Sequence, residues 1–167
     1  PALLSSGLSQ DLTRKAKEYL FSPGISVLKE AMIACSRANP NCMHDPTEGG
    51  LATGLREIAS AAGVGIFVEE RAIPVLTESR AICEKLSINP LGLLASGALI
   101  ITLPSSETPN LLESLNRAGL SASIIGKVVE AEKGVKIRTA RGIEDLPWFE
   151  QDELARYLGV RQPPISK

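Results

Sequence analysis

The stretch Met43-His44-Asp45-Pro46-Thr47-Glu48-Gly49-Gly50-Leu51 runs straight into an amphipathic segment, residues 52–62. Leu55, Ile58 and Ala62 recur there at helical spacing, which predicts a helix. Two adjacent glycines open this helix, although a glycine costs about 1 kcal/mol relative to alanine inside a helix. We interpret the pair as a place where another group comes close to the backbone. The free N–H groups of a helix N-terminus favour phosphate in that role.

The residues of this loop allow more than one local structure. In the first, Asp45 is the N-cap of the helix, Pro46 is its first residue and Glu48 is the return arm of a capping box. That arrangement needs no ligand, but it does not explain why two glycines lie inside the helix. In the second, residues 45–50 form a loop, the helix begins near Leu51, and the glycines adopt positive φ angles or admit a ligand. A plain glycine turn also fits the pair.

The composition limits the classes of protein to which this chain can belong. The 167 residues fit one domain, and 44% hydrophobic with 22% charged residues is a normal globular balance. A net charge of -1 and 4% aromatic residues disfavour binding to nucleic acid or to an anionic membrane. No apolar run approaches the roughly 20 residues of a membrane span. Three scattered cysteines indicate reduced thiols, so we expect a cytoplasmic protein.

The hydrophobic periodicity predicts an α+β fold, in which helices pack on a mixed β-sheet. Helices are predicted at residues 11–21, 26–38, 52–62, 77–86, about 105–118 and 152–158. Strands are predicted at residues 64–70, 98–103, 123–129 and 135–139. We expect the last two strands to form a hairpin across residues 130–134.

The predicted domain organisation is simple. Residues 1–7 are expected to be a linker, residues 8–158 a single domain, and residues 159–167 a flexible tail. Because the chain starts without methionine and without a strand, we expect it to be part of a longer protein.

Two further features have both a structural and a functional interpretation. His44 lies two residues after Cys42, but Cys-x-His is not a recognised zinc spacing, and a hydrogen-bonding role is the favoured interpretation. Gly97 precedes an apolar strand, and Gly24 precedes a helix. Each is either a turn glycine or a second close approach of the backbone, near the first loop in space.

Several blocks of the chain resemble the C-terminal domain of the AIR synthase (PurM-like) superfamily. The most specific is Asp45-Pro46-Thr47-Glu48-Gly49-Gly50-Leu51-Ala52. The other blocks keep the family's order along nearly the whole chain: residues 23–27 (Pro-Gly-Ile-Ser-Val), 64–66, 73–75, 89–91 and 96–99 (Ser-Gly-Ala-Leu). Within the superfamily the chain is most similar to the HypE group of hydrogenase-maturation proteins.

This resemblance implies a PurM C-terminal-domain-like α/β sandwich that follows an N-terminal ATP-binding domain. It implies ATP and Mg²⁺ as cofactors, with most ligands in that N-terminal domain, and a homodimer. The family activates an amide-, carbamoyl- or phosphate-type oxygen by phosphorylation. Carried over to this sequence, the candidate catalytic residues are Asp45 and Thr47. The candidate substrate- or phosphate-binding residues are Glu48, Gly49, Gly50 and Gly97.

The sequence departs from the HypE pattern at two places. Relatives usually carry arginine where this chain has Glu48, and a carboxylate there repels phosphate unless magnesium intervenes. HypE proteins also end in a cysteine that receives the carbamoyl group, whereas this sequence has no cysteine after Cys83. We therefore expect either a HypE-like enzyme with another acceptor or a non-catalytic module that senses a ligand or docks a partner.

Overall fold

The computed structural model describes residues 7–159. The linker predicted at residues 1–7 and the tail predicted at 159–167 lie outside the described residues, except for Gly7 and Gly159. The helices are α1 (Gln10–Glu18), α2 (Leu28–Arg37), α3 (Gly50–Ala62), α4 (Thr77–Leu86), α5 (Thr108–Arg117) and α6 (Glu153–Leu158). The strands are β1 (Cys42–His44), β2 (Gly65–Glu69), β3 (Ile100–Thr102), β4 (Gly126–Val129), β5 (Val135–Thr139) and β6 (Gly142–Asp145).

Every helix and strand predicted from the sequence is present, and the α+β fold class is confirmed. Helix α3 ends as expected at Gly63, which adopts a left-handed φ of 62° and donates its N–H to the carbonyls of Ala59 and Ser60. Two strands were not predicted, β1 and β6. They contain three and four residues, which is too short for an alternating pattern to stand out.

The strands form two sheets. In the larger sheet the order is β4-β2-β5-β6, and β2 runs antiparallel to β4 but parallel to β5. The predicted hairpin between β4 and β5 is therefore wrong, because β2 lies between them. Gly65 permits this insertion. A Cβ atom at Gly65 would lie 2.5 Å from the carbonyl oxygen of Glu130 and 2.7 Å from that of Gly134.

The smaller sheet pairs β1 with β3, so that His44 lies opposite Ile100. This pairing brings together the two chain segments that carry the glycine motifs. The strand predicted at residues 98–103 is shorter than expected, but its first residue, Ile100, is buried as a core strand requires.

The main core lies between α3 and the inner face of the larger sheet. In β2 the side chains of Ile66 and Val68 are buried, as the two-residue period of a strand dictates. Leu55, Ile58 and Ile137 pack against them. A smaller cluster joins α2 to α5 through Ala34, Leu111 and Leu115. Within residues 7–159, no helix combines the length and apolarity needed to cross a membrane.

Candidate functional site

The loop between β1 and α3 takes its shape from the two glycines. Gly49 and Gly50 have φ angles of 77° and 65°, in the left-handed region that favours glycine. Helix α3 begins at Gly50, with Gly49 as its N-cap residue. The capping-box interpretation, with Asp45 as the N-cap, is therefore wrong, and residues 45–50 form the glycine-turned loop of the second interpretation.

The loop presents its polar side chains to solvent and buries its proline. Asp45, Thr47 and Glu48 are exposed, whereas Pro46 is among the most completely buried side chains. Helix α3 packs on Pro46 at Gly54, where an added Cβ atom would lie 2.8 Å from the proline Cβ. The buried proline thus anchors a loop whose three polar side chains are free to meet a ligand.

The group that approaches Gly50 is the chain's own backbone. A Cβ atom at Gly50 would lie 2.5 Å from the carbonyl oxygen of Leu93 and 2.7 Å from that of Leu91. These two residues belong to the segment that contains the 3-10 turn Pro90–Gly92. The close approach expected from the sequence is real, and its partner lies within the fold.

The amides of both glycines have acceptors within the chain. Gly49 N–H donates to Oδ2 of Asp152 over 2.9 Å, and Gly50 N–H donates to the carbonyl of Thr47 over 3.1 Å. A phosphate oxygen at the Gly49 amide would have to replace the Asp152 carboxylate. The role of Gly49 and Gly50 in binding phosphate stays a prediction.

Gly97 joins the same region. Its φ is 95°, and an added Cβ atom would lie 3.3 Å from Cα of Ile25 and 3.4 Å from the carbonyl oxygen of Gly24. Two residues earlier, Ala95 N–H donates to the carbonyl of Thr47 over 3.2 Å. The structure therefore brings the three glycine-containing segments together, with the segment around Gly97 between the other two.

His44 has the hydrogen-bonding role that the sequence favours. Its Nε2 lies 2.8 Å from Oε2 of Glu57 on α3, which ties the strand before the loop to the helix after it. Cys42 is half-buried on the same short strand, and Cys35 is exposed on α2. In the part of the chain that the structure describes, no three His, Cys, Asp or Glu side chains are grouped to hold a metal ion.

Two buried carboxylates, Asp152 and Glu153, lie next to the loop and the segment that packs on it. Their hydrogen bonds to the amides of Gly49 and Asn89 were not predicted from the sequence. Asp152 and Glu153, at the start of α6, are 2% and 6% exposed. Oδ1 of Asp152 accepts the N–H of Leu154 over 2.8 Å as a helix cap, and Oε2 of Glu153 accepts the N–H of Asn89 over 2.7 Å. An aspartate before a helix signals a cap, but nothing in the sequence identifies Gly49 as its second partner.

The ion pair of Glu153 gives a pH-dependent contribution to stability. A hydrogen bond from Arg156, assisted by the Asn89 amide, holds the pKa of Glu153 below its ordinary value despite burial. Because the folded-state pKa is lowered, this stabilisation is present above the unfolded-state pKa and is lost as the pH falls through the folded-state pKa. We expect Glu153→Gln to flatten the acid limb of the stability–pH curve, as measured by urea unfolding at a series of pH values.

Glu113 provides the matched control, because it pairs with Arg117 on the surface, where its side chain is 60% exposed. Exposed pairs contribute little, so Glu113→Gln should keep the wild-type acid limb. An acid limb that is equally steep in wild type and Glu153→Gln would contradict the assignment.

A large cavity lies beside the loop and not at it. It has a volume of about 880 Å³ between α4 and the turn after β5, and its lining includes Ile137, Cys83 and Asn89 but none of the exposed loop residues. Burial raises the pKa of the Cys83 thiol, which keeps it protonated and unreactive. Cys83 therefore acts as a packing residue.

The comparisons with known proteins agree with this architecture. The model of the family described as AIR synthase related protein, C-terminal domain, matches residues 13–138. The chain is 40% identical over 119 residues to the carbamoyl dehydratase HypE of Azotobacter vinelandii, an alignment that covers 69% of this chain and 35% of that protein. The chain thus spans about a third of the length of this curated relative.

Two solved structures show the same fold. The hydrogenase maturation protein HypE in complex with ATP superposes with a TM-score of 0.62 at 36% identity, covering 68% of this chain and 37% of that one. A chain of a HypE–HypF complex superposes with a TM-score of 0.61 at 31% identity, covering 72% of this chain and 40% of that one.

Proposed function

Since this chain belongs to the AIR synthase related family through that family's C-terminal domain, we propose that it covers the substrate in an ATP-dependent, HypE-like enzyme. In this proposal an N-terminal domain holds most of the ATP and Mg²⁺ ligands. The enzyme acts in the cytoplasm as a homodimer and activates an amide- or carbamoyl-type oxygen by phosphorylation. The isolated 167-residue chain is then expected to be inactive by itself.

One observation carries the proposal: the exposed side chains of Asp45, Thr47 and Glu48 stand on a loop that is fixed from beneath. Pro46 is buried, and the backbone of residues 91–93 closes against Gly50. A rigid loop with exposed polar groups is a common design of binding sites, because the scaffold sets the geometry and the loop supplies the chemistry.

The donor set of the loop fits magnesium better than bare phosphate. Asp45 and Glu48 offer carboxylate oxygens and Thr47 offers a hydroxyl, whereas the amides of Gly49 and Gly50 already have acceptors. Magnesium is held in proteins by one or two carboxylates together with substrate phosphates. We propose that Asp45 helps to ligate Mg²⁺ or to orient the loop and that Thr47 hydrogen bonds to the substrate. We further propose that Gly97 shapes the backbone segment that lies beside the loop.

A second candidate function, a partner-docking module, has its own support. Large apolar side chains are exposed before and along the first turns of α2, where Phe21, Leu28 and Met32 are 82%, 67% and 64% exposed. Apolar patches of this kind mark surfaces that meet another protein or domain. In the enzyme proposal the N-terminal domain covers this surface, whereas a non-catalytic module would use it for a separate protein.

Isothermal titration of the full-length natural protein with Mg-ATP tests the proposal. We expect Asp45→Asn to weaken binding by about 10–100-fold, the effect of losing one hydrogen bond or ligand contact to a charged group. Glu132→Gln is the matched control, because Glu132 is an equally exposed carboxylate on the turn between β4 and β5. Wild-type protein that binds no Mg-ATP would exclude the enzyme proposal and leave the docking module. Equal affinities for wild type and Asp45→Asn would exclude the role proposed for Asp45.

A further inference from the structure

The carboxylate of Asp152 connects two distant parts of the chain. One oxygen accepts the N–H of Gly49 in the loop before α3, and the other accepts the N–H of Leu154 in the first turn of α6. Asp152 is 2% exposed, and its hydrogen bond to the Gly49 amide is buried. Hydrogen bonds to an ionised carboxylate are about twice as strong as neutral ones, and a buried amide left without an acceptor is costly.

The Gly49 contact fixes the loop at its most adaptable point. Gly49 has a left-handed φ of 77°, and as a glycine it has access to other backbone conformations. The peptide plane before Gly49 carries the N–H that Asp152 accepts, and it directly follows the exposed residues of the loop. A rotation of that plane would redirect Glu48 and Thr47 together.

We propose that Asp152 is a positioning residue: through the Gly49 amide it sets the orientation in which Thr47 and Glu48 meet their ligand. This inference depends on the proposed function in one respect, namely that the loop binds a ligand. The geometric part, that Asp152 holds the loop, stands independently of what the ligand is.

Three substitutions weaken the two contacts of Asp152 to different degrees. Asp152→Ser retains a good helix cap for α6, but its shorter side chain does not reach Gly49 as well. Asp152→Asn has a single acceptor oxygen for two donors. Asp152→Ala removes both contacts. Glu153→Gln is the matched control, because Glu153 lies beside Asp152 in the same buried turn but contacts Asn89 and not the loop.

Amide hydrogen exchange, followed by NMR on the 167-residue chain, measures the loop directly. We expect Asp152→Ser to speed exchange of the Gly49 amide by about 10–100-fold relative to the amides of β2 and β5. Glu153→Gln should leave this ratio unchanged. Using the β2 and β5 amides as the reference removes any effect of a general loss of stability. An unchanged Gly49 ratio in Asp152→Ser would overturn the proposal.

Titration of the full-length natural protein with Mg-ATP then tests the consequence for the ligand. Asp152→Ser should bind at least about tenfold more weakly than wild type, and Asp152→Asn should fall between the two, while the surface control Glu132→Gln binds like wild type. Faster Gly49 exchange without weaker binding would overturn the positioning role. Wild-type protein that does not bind Mg-ATP would contradict the proposed function, and the exchange ratio would still decide whether Asp152 holds the loop.

Discussion

Gly50→Ala is expected to lower the free energy of unfolding by about 2–5 kcal/mol. The left-handed backbone at φ 65° costs an alanine about 1–2 kcal/mol. The new Cβ atom would also lie 2.5 Å from the carbonyl oxygen of Leu93 and 2.7 Å from that of Leu91, and backbone atoms have little freedom to move away. Overpacking of this kind typically costs a further 1–3 kcal/mol or so. Urea unfolding monitored by circular dichroism measures the change.

Gly63→Ala separates the two causes. Gly63 has a similar φ of 62°, but an added Cβ atom meets nothing within 4 Å. We therefore expect it to cost only the backbone strain, about 1–2 kcal/mol. Equal losses for Gly50→Ala and Gly63→Ala would show that the backbone of residues 91–93 yields to a side chain at position 50.

Ile137→Ala is expected to lower the free energy of unfolding by about 2–5 kcal/mol, the range for removing a buried isoleucine side chain. Ile137 lies in β5, a central strand of the larger sheet, and is 1% exposed.

Ile143→Ala is the matched control on the neighbouring strand. Ile143 lies in β6 opposite Arg138 and is 60% exposed. A surface substitution of this kind usually changes stability by no more than about 0.5 kcal/mol. Thermal or urea unfolding of both variants would contradict the assigned core if Ile143→Ala lost as much stability as Ile137→Ala.

Local sequence signals predicted the elements of this fold well and their pairing less well. Helix α4 and strand β5 have the predicted bounds, because turn residues and a clear hydrophobic period delimit them. The prediction of a hairpin between β4 and β5 was wrong for a physical reason. Strand β2, far earlier in the chain, pairs with both of these strands, and Gly65 lets β2 lie against the turn that connects them. Sequence proximity favours a hairpin, but burial of Ile66 and Val68 favours the central position for β2.

The candidate site was predictable in its position and not in its contacts. The glycine pair correctly indicated a close approach to the backbone at Gly50. The approaching group was not identifiable, because Leu91 and Leu93 lie in a different part of the chain. The Asp152 contact was equally hidden, since an aspartate that caps a short helix shows no local sign of a second, distant acceptor role.

The bond between Gly49 and Asp152 also has a consequence for biosynthesis. The two residues are 103 positions apart, and Asp152 is translated after Gly49. At about 5–20 residues per second, a ribosome adds Asp152 roughly 5–20 s after Gly49. During that interval the Gly49 amide cannot donate to Asp152, so this contact of the loop forms only after the chain has been synthesised as far as the cap of α6.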